Sequence, residues 1–193
     1  FYGDMDGRKG TVLENIAKEH NVNLIKLNYL GHGTSSGKVV DFVLSDWFEN
    51  IKTIINKLST KKLVLVGSSM GGWLSYLTAL EYGEKIKAII TFSTAIDFLT
   101  EVIEPLMKDS PSYEIINSDG TPSGNLVTRR LLLDSKQYNL FGKEEIKLNC
   151  PIRMMHGLKD TLIPYQTAFN FFKKLTSKDA QFIITKEMDH RLS

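Results

Sequence analysis

The stretch VLVGSSMGGWLSYL, residues 64–77, decides the fold. A β-branched apolar run meets a cluster of glycines and serines, then resumes with apolar residues at helical spacing (Met70, Trp73/Leu74, Leu77). It reads as a strand, a sharp turn and a helix. Only one frame of the turn satisfies G-x-S-x-G, namely Gly67-Ser68-Ser69-Met70-Gly71, because centring on Ser68 would require glycines at Val66 and Met70. Ser69 is therefore the candidate nucleophile, and Ser68 is a neighbour whose task is to be small. In such an elbow the serine sits in strained backbone at the amino end of the helix, where free N–H groups and the helix dipole favour developing negative charge. Gly67 and Gly71 are expected to let strand and helix approach closely. The Met70 amide is the expected first oxyanion donor.

Outward from this turn, strand and helix patterns alternate. Residues 7–21 and 46–58 carry apolar residues at helical spacing, and the 22–30 run VNLIKLNYL reads as a strand ending in the loop GHGTSSG. KLVLVG is a short continuous apolar strand of the kind buried on both faces of a parallel sheet. A strand over 85–93 follows the Met70 helix. The alternation returns with a strand at 151–157, a helix from about Tyr165 to Leu175 and a strand at 180–185. Repeated units of this kind predict an α/β fold: a mostly parallel, doubly wound sheet with helices on both faces. Ligands in such sheets bind at the carboxyl ends of the strands. Residues 97–149 break the rhythm with a helical DFLTEVIEPLMK, a turn-rich NSDGTPSGN and a second helix around TRRLLLDSKQY. They are expected as a small cap inserted in a single domain spanning 1–193. Phe98, Leu99, Val102, Leu106 and Met107 are its candidate apolar pocket lining.

Bulk properties narrow the function. The chain has 193 residues, 42% of them apolar, a net charge of +2 and one cysteine. That length suits one well-buried domain. The basic residues are scattered, and KLSTKK (57–62) and FFKKLTSK (171–178) read as solvated helix ends, so no nucleic-acid partner is expected. No apolar run reaches the roughly 18 residues of a membrane span. Cys150 cannot form an internal disulfide and is expected to be buried and inert, which fits a reducing, cytoplasmic setting.

A serine hydroxyl needs a base to take its proton and a carboxylate to orient that base. On an elbow fold these follow in the order Ser, acid, His. Of four histidines only His190 lies beyond the last strand. His20 ends the first helix and reads as exposed, His32 as structural or surface, and His156 as packed and hydrogen-bonded. Asp160, just after the strand PIRMM, is the expected acid, with Asp97 as runner-up. Asp189 adjoins His190 but is expected to point away from it.

GSSMGG (67–72), HGLKDTLIP (156–164) and DHR (189–191) together resemble the α/β-hydrolase superfamily. NYLGHGTSSG (28–37) is similar to that family's D-x-x-G-H-G-x-S turn, with Asn28 in place of the aspartate. More narrowly, GSSMGGWL, CPIRMMHGLKD and MDHR resemble the branch of bacterial hydrolases and mitochondrial acyl-glucuronide esterase/palmitoyl-protein thioesterase. The resemblance implies ester or thioester hydrolysis of a small-molecule acyl substrate through Ser69, Asp160 and His190, with no cofactor and no metal. It also makes FYGDMDG (1–7) similar to the remainder of an oxyanion loop, with the amide of Phe1 or Tyr2 as second donor. By the same resemblance a strand is expected before residue 1 and a helix after residue 193. Two function classes stay open: an acyl hydrolase, within which a peptidase or amidase is the less favoured form, and a fold member that only binds a ligand or partner.

Overall fold

Four strands form the central sheet: β1 (Leu63–Ser68), β2 (Ile86–Phe92), β5 (Ile152–Gly157) and β6 (Ala180–Thr185), in that order and all parallel. The computed structural model describes residues 1–59, 62–116 and 121–193. Parts of KLSTKK and of NSDGTPSGN lie outside the described residues. Ser68 is level with Phe92, Phe92 with Met155, and Gly157 with Thr185. The carboxyl ends of all four strands therefore share one edge, and Ser69, Asp97, Asp160 and His190 all follow strands that end there.

Helices α3 (Met70–Tyr82) and α6 (Tyr165–Phe172) pack on the sheet, α2 (Leu44–Lys57) packs against α3, and α1 (Arg8–Glu19) precedes them in the chain. α3 is buried nearly all round from Gly72 to Ala79, as expected of a helix apolar on more than one face. Two of its buried hydroxyls bond back into the helix, Ser75 Oγ to the Gly71 carbonyl at 2.7 Å and Thr78 Oγ1 to the Leu74 carbonyl at 2.7 Å. α2 buries Leu44, Trp47, Phe48 and Ile55. α1 contributes no buried residue, and Val12 and Ile16 on its apolar face are about half exposed.

Two expected strands differ from the sequence reading. The 22–30 run joins no ladder among the described residues, and the polar groups at its carboxyl end are met by side chains instead. Leu30 donates to Asn50 Oδ1 at 3.1 Å and accepts from Trp47 Nε1 at 3.0 Å, while Asn28 Oδ1 accepts from the Met5 amide at 2.8 Å. β1 is not covered on both faces: it pairs with β2 alone among the described strands, and Val64 is 57% exposed.

The 97–149 segment contains a feature that its composition hides. A π-helical turn, Leu99–Ile103, runs into the short helix α4 (Glu104–Met107), and an antiparallel hairpin of β3 (Ser112–Ile116) and β4 (Pro122–Thr128) follows. The sequence reading takes TPSGN as turn because proline, glycine and asparagine are depleted in strands. Here Pro122 opens the strand, where a missing N–H is tolerated, and Gly124 takes a φ of +75°. Helix α5 (Arg129–Ser135) is capped by Thr128 Oγ1, which accepts from the Leu131 amide. Asp134 ties the segment to α2, receiving Ser45 N at 2.8 Å and Ser45 Oγ at 2.6 Å, and within the segment Asp97 holds the turn at 140–141.

Candidate active site

The turn after β1 adopts the strained conformation that its sequence predicts. Ser69 has φ +54° and ψ −121°, a region costing a non-glycine residue about 1–3 kcal/mol unless its surroundings hold it there. They do: the Ser69 amide donates to the Phe92 carbonyl at 2.9 Å, and its carbonyl accepts from Ala95, Gly72 and Trp73. Gly67 is sterically required, since a Cβ there would lie 2.2 Å from the Gly71 carbonyl oxygen. The second close approach is at Gly72, whose Cβ would meet the Thr94 side chain at 2.8 Å, and not at Gly71, where the nearest atom is the Tyr29 hydroxyl at 3.9 Å. Contrary to the expectation for Gly71, helix α3 packs on the 93–95 loop at Gly72, one residue later than the motif suggests.

The loop carrying His190 crosses the end of β5 in direct backbone contact. A Cβ on Gly157 would lie 2.2 Å from the Met188 carbonyl oxygen, and the Lys159 amide donates to that same oxygen at 3.0 Å. This crossing brings His190 between Ser69 and Asp160. Its Nδ1 lies 2.7 Å from Asp160 Oδ2, and its Nε2 lies 3.1 Å from Ser69 Oγ. A carboxylate accepts only, so Nδ1 carries the proton and Nε2 presents its lone pair to the serine hydroxyl.

Asp160 is held on every side. Oδ1 accepts the amides of Leu162 at 3.1 Å and Ile163 at 2.8 Å. Oδ2 is shared between His190 and His156, the latter with Nε2 at 3.1 Å. Burial alone would raise the carboxyl's pKa, but the hydrogen bonds from His156 and His190, with the Ile163 amide, outweigh it and hold Asp160 at about 2. It is ionised throughout the range in which an imidazole works. Asp189 points elsewhere, accepting from the amides of Arg191 and Ser193 at 2.9 and 3.1 Å.

Asp97, the runner-up acid, serves a different place. It is fully buried, and its Oδ2 accepts the Leu140 and Phe141 amides at 2.7 and 2.6 Å. Burial pushes its pKa up to about 6 against those two N–H groups. Sequence order cannot separate the two aspartates, since each follows a strand of the same sheet; the bonding partners do.

Beside the elbow lies an aromatic cluster. His32 is buried with Nδ1 3.2 Å from the Leu30 carbonyl, and its ring stands edge-on to Trp47 (centroids 5.2 Å apart) and to Tyr29 (5.9 Å). Phe1 and Tyr2 pack on the same histidine, each at 6.3 Å. The Tyr2 hydroxyl also bridges both backbone groups of Leu126 on β4, at 3.1 and 3.0 Å. Tyr29 joins this cluster to the Gly71 side of the elbow.

The expected pocket residues divide by face. Leu99, Ile103 and Met107 repeat every four residues and are buried in the core, as is Phe98. Val102 and Leu106, on the other face, line a cleft of about 620 Å³ with Phe141 and Leu162. Phe98, Leu99 and Met107 therefore support the segment rather than line this cleft. Thr161 and Leu162, the residues next to Asp160, form part of its wall, with Glu101, Thr167 and Asn170 as polar lining. Among the described residues no cluster of His, Cys, Asp and Glu is arranged to hold a metal, and no helix is long and apolar enough to cross a membrane.

The chain as a whole is similar to known proteins. Over 194 residues the chain is 30% identical to human mitochondrial palmitoyl-protein thioesterase ABHD10, covering 97% of this chain and 63% of the relative. The bovine protein of the same name is 27% identical over 198 residues, covering 100% and 65%. The chain thus spans just under two thirds of the length of these relatives. Among solved structures, mouse alpha/beta hydrolase domain-containing protein 10 superposes with a TM-score of 0.87 at 26% identity, covering 99% of this chain and 79% of that one. Est1E from Butyrivibrio proteoclasticus shares the fold, with a TM-score of 0.80 at 21% identity over 100% and 79%. The family model described as serine aminopeptidase, S33, matches residues 7–115, more than half of the chain, and the chain belongs to that family of α/β hydrolases.

Proposed function

We propose that the protein is a serine hydrolase that cleaves carboxylic ester or thioester bonds through an acyl-enzyme. The observation that carries this reading is the continuous hydrogen-bonded line from Ser69 Oγ through His190 to Asp160 Oδ2. Ser69 attacks the acyl carbonyl as His190 Nε2 takes its proton. Asp160 keeps the imidazole in the Nδ1–H tautomer and stabilises the imidazolium that forms. His190 then returns the proton to the departing alcohol or thiol. Water, deprotonated by the same nitrogen, releases the acid and restores Ser69. The Met70 amide opens helix α3, where no intrahelical acceptor reaches it, and is the first oxyanion donor. The amide of Phe1 or Tyr2 is the second, supported by the packing of both residues in the aromatic cluster beside the elbow.

Residues 97–149 act as the cap, and the cleft edged by Val102, Leu106, Phe141 and Leu162 receives the acyl chain. Similarity to relatives named palmitoyl-protein thioesterase favours a long, apolar acyl group. The test is turnover of p-nitrophenyl esters and matched acyl thioesters of increasing chain length. Hydrolysis that rises with chain length supports the assignment. Binding without turnover of any acyl substrate refutes it in favour of a ligand-binding member of the fold.

A further inference from the structure

We propose that His156 is a positioning residue for the reaction: as a neutral, Nε2-protonated donor it shares the Asp160 carboxylate with His190, fixing the carboxylate's orientation and dispersing its charge. The proposal rests on the acyl-enzyme reading above. Sequence reasoning gives His156 a packed, hydrogen-bonded role without naming its partner, and its position four residues before Asp160 is the one signal that the two side chains meet.

The tautomer follows from the partners. His156 Nε2 lies 2.8 Å from the Ile163 carbonyl oxygen and 3.1 Å from Asp160 Oδ2. Both are acceptors, so Nε2 carries a proton shared between them. Nδ1 is buried without a hydrogen-bond partner, and a second proton there would leave an unpaired buried N–H. The ring is 1% exposed, and the side that faces β6 meets the apolar Phe182 ring at 6.4 Å. The ionisable side chains placed against it are Asp160, through a direct bond, and His190, which shares that carboxylate.

The geometry gives Oδ2 two N–H donors of unequal reach, His190 at 2.7 Å and His156 at 3.1 Å. With Oδ1 pinned by Leu162 and Ile163, the second histidine leaves the carboxylate one orientation. It also withdraws part of the negative charge that would otherwise act on the His190 ring. Removing that donor concentrates the charge on His190 and favours the imidazolium.

The test compares the purified wild-type protein with His156→Leu, which fills the space without a donor, and His156→Gln, whose amide nitrogen reaches the position of Nε2. For His156→Leu, the acid limb of the kcat/KM profile is expected to move up by roughly half a unit to one unit, with kcat reduced about tenfold and KM unchanged. His156→Gln is expected to restore both towards wild type. In the wild-type protein, nitrogen NMR of the histidines should show His156 protonated at Nε2 and bare at Nδ1, a readout that stands even if the leucine variant does not fold. An unmoved acid limb in His156→Leu, equal losses in the leucine and glutamine variants, or a His156 protonated at Nδ1 overturns the proposal and leaves only packing. Ser69→Ala is run beside them. Undiminished turnover in that variant overturns the acyl-enzyme reading itself, and is told apart because it does not depend on residue 156.

Discussion

Replacing Asp160 with Asn separates the two candidate acids and puts a number on the arrangement. Oδ1 accepts two backbone amides, so the asparagine carbonyl must occupy that position. The amide NH₂ then stands where Oδ2 was, 2.7 Å from His190 Nδ1 and 3.1 Å from His156 Nε2, both of which are donors. His190 relieves the clash by moving its proton to Nε2, which faces Ser69 Oγ at 3.1 Å. In that tautomer the ring can no longer accept the serine proton. The same substitution in a serine protease triad lowers kcat about 10⁴-fold, which corresponds to about 5.5 kcal/mol of transition-state stabilisation. Stability falls as well. A carboxyl held at about 2 instead of its usual 3.8 contributes about 2 kcal/mol above pH 4, lost as pH falls through the folded value. The assay is the pre-steady-state burst of p-nitrophenol from a short ester, with a thermal melt to establish that the variant is folded at the assay temperature. A folded Asp160→Asn protein that turns over within about tenfold of wild type would mean that Asp160 does not set the His190 tautomer, most clearly if Asp97→Asn were the inactive one.

Asp97→Asn should keep its activity and change the pH dependence of stability. A buried carboxyl raised to about 6 binds a proton in the folded state that the unfolded chain has lost above pH 4, so wild-type stability declines between roughly pH 4 and 6. The asparagine still accepts the Leu140 and Phe141 amides, and denaturant titrations across that range should lose this part of the slope; an unchanged slope would contradict the assignment. Gly67→Ala should cost about 3 kcal/mol or more in a denaturation series, because its methyl group meets a backbone oxygen. Gly71→Ala, whose methyl group would meet only the Tyr29 hydroxyl at an ordinary contact distance of 3.9 Å, should fall within about 1 kcal/mol of wild type. Equal costs at the two glycines would mean that the elbow is not packed as described.

How much of this is legible in the sequence depends on whether a local rule applies. The elbow is, because a buried strand, a G-x-S-x-G frame and an apolar helix together demand one kind of turn. The parallel sheet is, because strand and helix periods alternate. That Asp160 and His190 meet Ser69 is an expectation of chain order that the geometry matches, although the order leaves Asp97 in contention until its bonds to 140 and 141 are seen. The hairpin is not readable, because Pro122 and Gly124 are turn residues by propensity and become strand only through pairing with β3. Nor is the division of Val102 and Leu106 from Leu99 and Met107, since all four are apolar and only packing decides which face is covered. The sharing of Asp160 by two histidines is a tertiary event that needs the loop at 188–190 to cross Gly157.

Covalent labelling with a fluorophosphonate followed by peptide mass spectrometry tests whether Ser69 is the nucleophile. Wild-type protein should carry one adduct, located on the peptide containing Ser69, and a folded Ser69→Ala protein none. An adduct retained in Ser69→Ala, or one found on Ser68 in the wild type, would contradict it.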